Sequence, residues 1–137
     1  MTLKRLVLDT GVLLAFLNDR DKDHTQALSG FQSLNEMNTR LIAPSCVVLE
    51  VAKRLLFDVN AAAMQRATIA MLETLEILDT TPETIQAALG LIQSMEIWSA
   101  TLEDAIVMNA ALALKTPVWT FNYRDFGSIK NLEFWTP

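Results

Sequence analysis

Four acids stand in this sequence where acids are costly. Asp9 closes the apolar run Leu6-Val7-Leu8 and is followed at once by Thr10-Gly11 and a second apolar stretch, Val12 to Leu17. Glu50 is embedded in Val47-Val48-Leu49-Glu50-Val51-Ala52. Asp104 opens a segment that continues as Ala105-Ile106-Val107-Met108, and Asp125 lies in the turn after Val118-Trp119-Thr120. Carboxylates in apolar surroundings are rarely left unpaired. An oxygen-only set of this kind suits a hard divalent cation, Mg2+ or Mn2+, which accepts a few carboxylates plus water.

Taken singly, each acid also has a purely structural role. Asp9 can cap the helix that follows it. Glu50 can pair with Arg54, four residues on. Asp104 suits a helix N-terminus, and Asp125 suits an Asx turn. Glu103 reads as a solvated neighbour of Asp104. Asp19, Asp21 and Asp23 read as an exposed loop without the glycine and distal glutamate of a calcium loop. His24 reads as a surface helix residue.

The elements that must position these acids alternate. Arg5 to Leu8 reads as a buried parallel strand and Thr10 onward as a helix, which puts Asp9 at a strand's carboxyl end, where open α/β sheets build their sites. After a polar loop at Asn18 to Asp21, a helix is expected from His24 to about Asn38, with Leu28, Phe31 and Leu34 near one face. A short strand, Arg40 to Ala43, leads through Pro44 and Ser45 into a helix reaching about Phe57. A capped helix from Asn60 to about Leu75 precedes a third strand, Glu76 to Leu78. Thr81 and Pro82 open a helix to about Met95, and Ser99 or Thr101 caps one from Leu102 to Leu114. Val118 to Thr120 is a fourth strand, Asn122 to Gly127 a tight turn, and Leu132 to Trp135 a short edge strand. The alternation predicts an α/β fold, a three-layer α/β/α sandwich around a mostly parallel sheet of about five strands. At 137 residues, a single domain, 1–137, is expected.

Composition narrows the function. Half the residues are hydrophobic (51%), which supports a packed core. A net charge of -5 has the wrong sign for holding nucleic acid by bulk electrostatics, so a nucleic-acid enzyme of this composition needs a cation, a local basic rim or a basic partner. The single Cys46 forms no internal disulfide and reads as a small core residue in a reducing compartment. With no signal peptide evident and no apolar stretch of about 20 residues, a cytoplasmic protein without a membrane span is expected.

The order and context of the four acid segments resemble the PIN-domain family, with the nearest likeness to VapC-like toxins of bacterial toxin–antitoxin pairs. The resemblance rests on Leu6 to Leu13, Pro44 to Val51, Leu102 to Ala111 and Val118 to Phe126, closing with the Thr-x-Asn-x-x-Asp-Phe pattern of Thr120 to Phe126. It implies a ribonuclease that hydrolyses RNA phosphodiester bonds with Mg2+ or Mn2+. Asp9, Glu50, Asp104 and Asp125 match its metal-binding acids, and Thr10, Thr120 and Asn122 match polar neighbours of the site. Gly11, where a serine or bulkier residue is common, and Trp119, large for a strand beside the site, depart from the pattern without removing a ligand. The resemblance also implies a cognate antitoxin as partner and frequent homodimers. Met64, Ile69, Met71 and Leu72 could face an antitoxin helix, although core packing is the default for them. Arg20, Lys22, Lys53, Arg54 and Arg124 could reach RNA phosphates, with a solvated surface charge as the default.

Three other readings compete. A haloacid-dehalogenase phosphatase needs a second acid two residues after Asp9, where Gly11 stands. A receiver domain needs adjacent acids near the first strand and a lysine near the last, neither of which is clear. A PIN-like scaffold that binds RNA or protein without cutting is the non-enzyme alternative, against which the complete acid quartet speaks.

Overall fold

Arg5–Leu8 forms β1, and Leu6, Val7 and Leu8 are wholly buried within it. The computed structural model describes residues 2–137. The elements that follow are α1 (Thr10–Leu17), α2 (His24–Glu36), β2 (Arg40–Pro44), α3 (Ser45–Asp58), α4 (Ala61–Thr74) and β3 (Glu76–Leu78). The chain continues through α5 (Pro82–Ser94), α6 (Leu102–Leu114), β4 (Val118–Trp119) and the one-turn α7 (Tyr123–Phe126). The sheet is parallel throughout, in the order β3-β2-β1-β4. Helices cover both faces of this α/β sandwich, as an all-parallel sheet requires.

The strand order decides where a site can form. The chain leaves β1 to build β2 and then β3 on one side, and returns to place β4 on the other. The switch point therefore lies between β1 and β4, where open α/β sheets leave a crevice at the strands' carboxyl ends. Val7 pairs with Val118 and Leu8 with Trp119, so Asp9 and Thr120 are the next residues in register. The Asp9 N–H donates to the Trp119 carbonyl at 3.2 Å.

The sheet has four strands, one fewer than expected. The Leu132 to Trp135 segment makes a single parallel bridge, Val118 to Phe134, held by Val118 N–H to Glu133 O (2.9 Å) and Trp135 N–H to Val118 O (3.0 Å). A β4 of two residues offers too little backbone to template a full neighbour. The tight turn at Asn122 to Gly127 is α7, and the second helix ends at Glu36 because Asn38 turns into the left-handed region at φ 54°.

Local chemistry starts the other helices where expected. Asn60 caps α4 and Thr81 caps α5 with Pro82 in its first turn. The hydroxyls of Ser45 and Thr80 exchange hydrogen bonds with each other and with the Thr80 and Cys46 N–H groups, at 2.9 to 3.1 Å, tying the end of β3 to the start of α3. Half-buried His24 sets its Nδ1 2.7 Å from the Ala15 carbonyl, so it docks α2 on α1 and is no mere surface residue. Leu34 is buried, Phe31 half-buried and Leu28 exposed, so the expected apolar face of α2 is narrower than its sequence suggests.

Lys115 closes α6 at φ 50°, ψ 47°, a left-handed conformation that favours glycine. Lys115→Gly is therefore expected to stabilise the protein by about 1 kcal/mol. Urea unfolding would show a higher midpoint with an unchanged slope, and an equal or lower midpoint contradicts it.

Among the described residues, no helix is long and apolar enough to cross a membrane.

Candidate active site

Asp9 leaves β1 in extended conformation (φ -84°, ψ 158°) and caps α1. Its Oδ1 accepts from the Thr10 N–H at 2.8 Å, as the capping role demands. Its Oδ2 accepts from the buried Thr120 hydroxyl at 2.8 Å. The side chain is nearly sealed, with the residue 4% exposed. Burial pushes its pKa from 3.8 up to about 6 against the pull of the Thr120 and Thr10 hydrogen bonds, and the charge of Asp104 pushes the same way.

Thr120 extends the site outward. Its hydroxyl, donating to Asp9, also accepts from the Asn122 N–H at 2.9 Å. Asn122 caps α7: its Nδ2 donates to Asp125 Oδ2 at 2.9 Å, and its Oδ1 accepts from the Asp125 N–H at 3.4 Å. Asp125 Oδ1 accepts from the Ser99 hydroxyl at 2.8 Å. An unbroken hydrogen-bonded chain thus runs Asp9–Thr120–Asn122–Asp125–Ser99, from the end of β1 to the loop before α6. The bonds from Asn122 and then Ser99, with the nearby Arg124 guanidinium, hold the Asp125 carboxyl below its ordinary pKa against a burial effect that raises it.

Asp104 sits at the third position of α6 in a capping box. Its Oδ2 accepts from the Thr101 N–H and its own N–H donates to the Thr101 hydroxyl, both at 3.1 Å. The helix-start role is thus real, and its charge bears on both Asp9 and Glu50. Glu50, half-buried on α3, is pushed up to about 7, chiefly by burial and then by contact with the Glu103 carboxyl. The Thr10 hydroxyl opposes the shift, while the charges of Glu103 and Asp104 add to it. Cys46, one helical turn before Glu50, is half-buried, and its thiol is also pushed up by burial.

The charge of Asp104 therefore reaches both Asp9 and Glu50, and Thr10 meets both, through its N–H to Asp9 and its hydroxyl to Glu50. Asp125 joins through the Thr120–Asn122 chain. The Glu50–Arg54 pair that the spacing allows does not form: Arg54 turns to Asp58 at 3.6 Å, also four residues away, while Glu50 turns toward α6. Among the described residues, no Lys or Arg forms an ion pair with Asp9, Glu50 or Asp104. Two residues take roles here that the sequence did not suggest, Glu103 having read as a solvated neighbour of Asp104 and Ser99 as a candidate cap of α6. Glu103 faces Glu50, and Ser99 binds Asp125 without capping α6. Glu103 carried a faint signal in its adjacency to Asp104, and Ser99 carried none.

A buried carboxylate without a cationic partner, beside further acids, is a donor set that fits a hard divalent cation. In the arrangement described, no three acids close on one point tightly enough to define a cation position. Asp104 and Asp125 are both turned toward hydrogen bonds within the chain.

The PIN domain family model matches residues 6–132. The chain belongs to the PIN domain family. Among solved structures it is similar to the VapC20 toxin of Mycobacterium tuberculosis, described as cleaving the sarcin-ricin loop, at TM-score 0.82 and 16% identity over 96% of this chain and 99% of that one. It is also similar to VapBC2 of Rickettsia felis bound to promoter DNA, at TM-score 0.75 and 19% identity over 96% and 97% of the two chains. A toxin–antitoxin complex from Klebsiella pneumoniae matches at TM-score 0.70 and 21% identity over 93% and 94%. At these identities the likeness is one of fold. No curated protein matches the sequence.

Proposed function

We propose that this chain is a single-domain, cytoplasmic, Mg2+- or Mn2+-dependent endoribonuclease and the toxin of a type II toxin–antitoxin pair. The observation that carries the enzymatic reading is Asp9: sealed at the switch point of the sheet, facing Asp104, and without an ion-pairing cation. Membership of the PIN domain family supports a nuclease, and the fold neighbours include a sarcin-ricin loop cleaving toxin and toxin–antitoxin complexes.

In this reading Asp9, Glu50 and Asp104 would hold the cation, with Asp125 contributing from the rim. The bound ion supplies positive charge that acidifies water and offsets charge on the phosphoryl oxygens. The chain's own residues do the rest. Thr10 and Thr120 fix the two Asp9 oxygens, and Asn122 holds Asp125. Arg124, with a side chain 82% exposed beside Asp125, is placed to meet a phosphate of the RNA.

An antitoxin would cover the apolar cleft of about 660 Å³ that Phe16, Leu17, Phe31, Leu34, Met71 and Leu75 line. Met71 belongs to that cleft, whereas Ile69 and Leu72 stand exposed on α4 and Met64 is half-buried. A homodimer belongs to the same proposal.

One observation favours a second reading, a scaffold that binds RNA without cutting it: Asp104 and Asp125 spend their carboxylates on internal hydrogen bonds. The two readings part on one assay. The nuclease cleaves single-stranded RNA in Mg2+ or Mn2+ and stops in excess EDTA. Cleavage that persists in EDTA excludes the cation, and cation-dependent binding without product establishes the scaffold.

A further inference from the structure

Ser99 has no part in starting α6, which Thr101 caps. Its hydroxyl instead reaches across 26 residues of sequence to Asp125 Oδ1 at 2.8 Å. The loop that carries it is fixed on both sides. Trp98 packs against both clusters of buried side chains, and the Thr101–Asp104 capping box closes the loop at its far end. Ile97, one residue earlier, is 82% exposed, so the loop is anchored at Trp98 and Ser99 and not by general burial.

We propose that Ser99 is a positioning residue for the hydrolysis proposed above: its hydroxyl fixes the Asp125 carboxylate and ties the helix start that carries Asp104 to the chain Asp9–Thr120–Asn122–Asp125. The role rests on that functional reading. Two donors on two different oxygens, Ser99 Oγ and Asn122 Nδ2, set the plane of the carboxylate. Without Ser99, one oxygen is released and the group can rotate toward the Arg124 guanidinium, already 3.6 Å from Oδ2. The α6 start would then lose its side-chain link to α7. Such outer contacts orient the groups that bind an ion, and their loss typically weakens ion affinity about 10- to 100-fold.

The test uses the full chain as wild type, Ser99→Ala and Ser99→Thr. Mn2+ affinity is measured by the electron paramagnetic resonance of the free ion, and kcat and KM are measured separately on single-stranded RNA. Ser99→Ala is expected to bind Mn2+ about tenfold more weakly and to lose kcat by a similar factor with KM unchanged. Ser99→Thr, which keeps the hydroxyl, is expected to behave as wild type. Thermal melting without cation checks that all three proteins are folded alike.

Ser99→Ala matching wild type in Mn2+ affinity and kcat overturns the role of Ser99 alone, as does equal impairment of Ser99→Ala and Ser99→Thr. Wild type that neither binds Mn2+ nor cleaves RNA overturns the nuclease reading and this role with it.

Discussion

Asp9→Asn is expected to melt higher than wild type at pH 7 without divalent cation, and to cleave RNA at least about a hundredfold more slowly in its presence. The first effect follows from burial. Folding raises the Asp9 pKa from 3.8 to about 6, so the folded state prefers the neutral acid. The sign is fixed by linkage: between those values the folded protein binds more protons than the unfolded one, so stability falls as pH rises. The contribution is fully present below about pH 3.8 and lost as pH passes about 6. At neutral pH the charged Asp9 costs about 3 kcal/mol, as an upper figure.

Asn is neutral, caps helices as well as Asp does, and offers both an acceptor and a donor to Thr10 and Thr120. A gain on the order of 10 °C at pH 7, shrinking to nothing near pH 4, is the expected melting pattern. Adding Mn2+ should stabilise wild type and leave Asp9→Asn unmoved. Equal melting of the two proteins at both pH values contradicts the burial argument. The buried carboxylates of Asp9 and Glu50 are thus a standing cost to the fold, kept for what they bind.

The second large effect lies in the core. A Cβ placed on Gly30 would meet Trp119 Cζ2 at 2.6 Å and Cη2 more closely still, with Pro137 Cγ at 3.2 Å. The indole is wholly buried and cannot step aside. Phe31 lies at 4.9 Å, Trp135 at 5.2 Å and Phe121 at 5.9 Å between ring centroids. Gly30→Ala should therefore cost about 3 kcal/mol, the upper end of ordinary overpacking. It should also impair cleavage, because Trp119 immediately precedes the Thr120 that holds Asp9.

Trp119→Phe relieves the clash and removes a buried indole N–H that has no acceptor. In the Gly30→Ala background it should recover much of the loss, giving a coupling of about 1–3 kcal/mol in a double-mutant cycle. Additive losses in urea unfolding contradict the account.

The same pair shows what the sequence could and could not say. Trp119 stood out as too large for its strand, yet nothing in the sequence marked Gly30 as the residue that makes room for it. Their contact depends on how α2 lies on β4, which local pattern does not encode. The end of β1 was legible because three local signals coincide there: an apolar run, a capping acid and a second apolar run. Asp104 stood out as an acid in a first helical turn before an apolar run, while its box with Thr101 emerged only in the structure. Glu50 stood out by its apolar surroundings, but its neighbour did not: spacing allowed Arg54, and the packing of α3 on α6 supplied Glu103 instead. The fifth strand failed because Leu132 to Trp135 has strand-like residues and a partner only two residues long. Ser99 failed because a lone serine before a helix looks like a cap, and the competing cap Thr101 has the better spacing to Asp104.

The proposed function requires the acids at the β1–β4 switch point to hold a divalent cation with which this chain cuts RNA. Its most direct test is cleavage of single-stranded RNA in Mn2+ by wild type, Asp9→Asn and Asp104→Asn at equal concentration, each checked for folding. The account predicts cleavage by wild type and loss of at least about a hundredfold in both variants. Undiminished cleavage by both variants would contradict it.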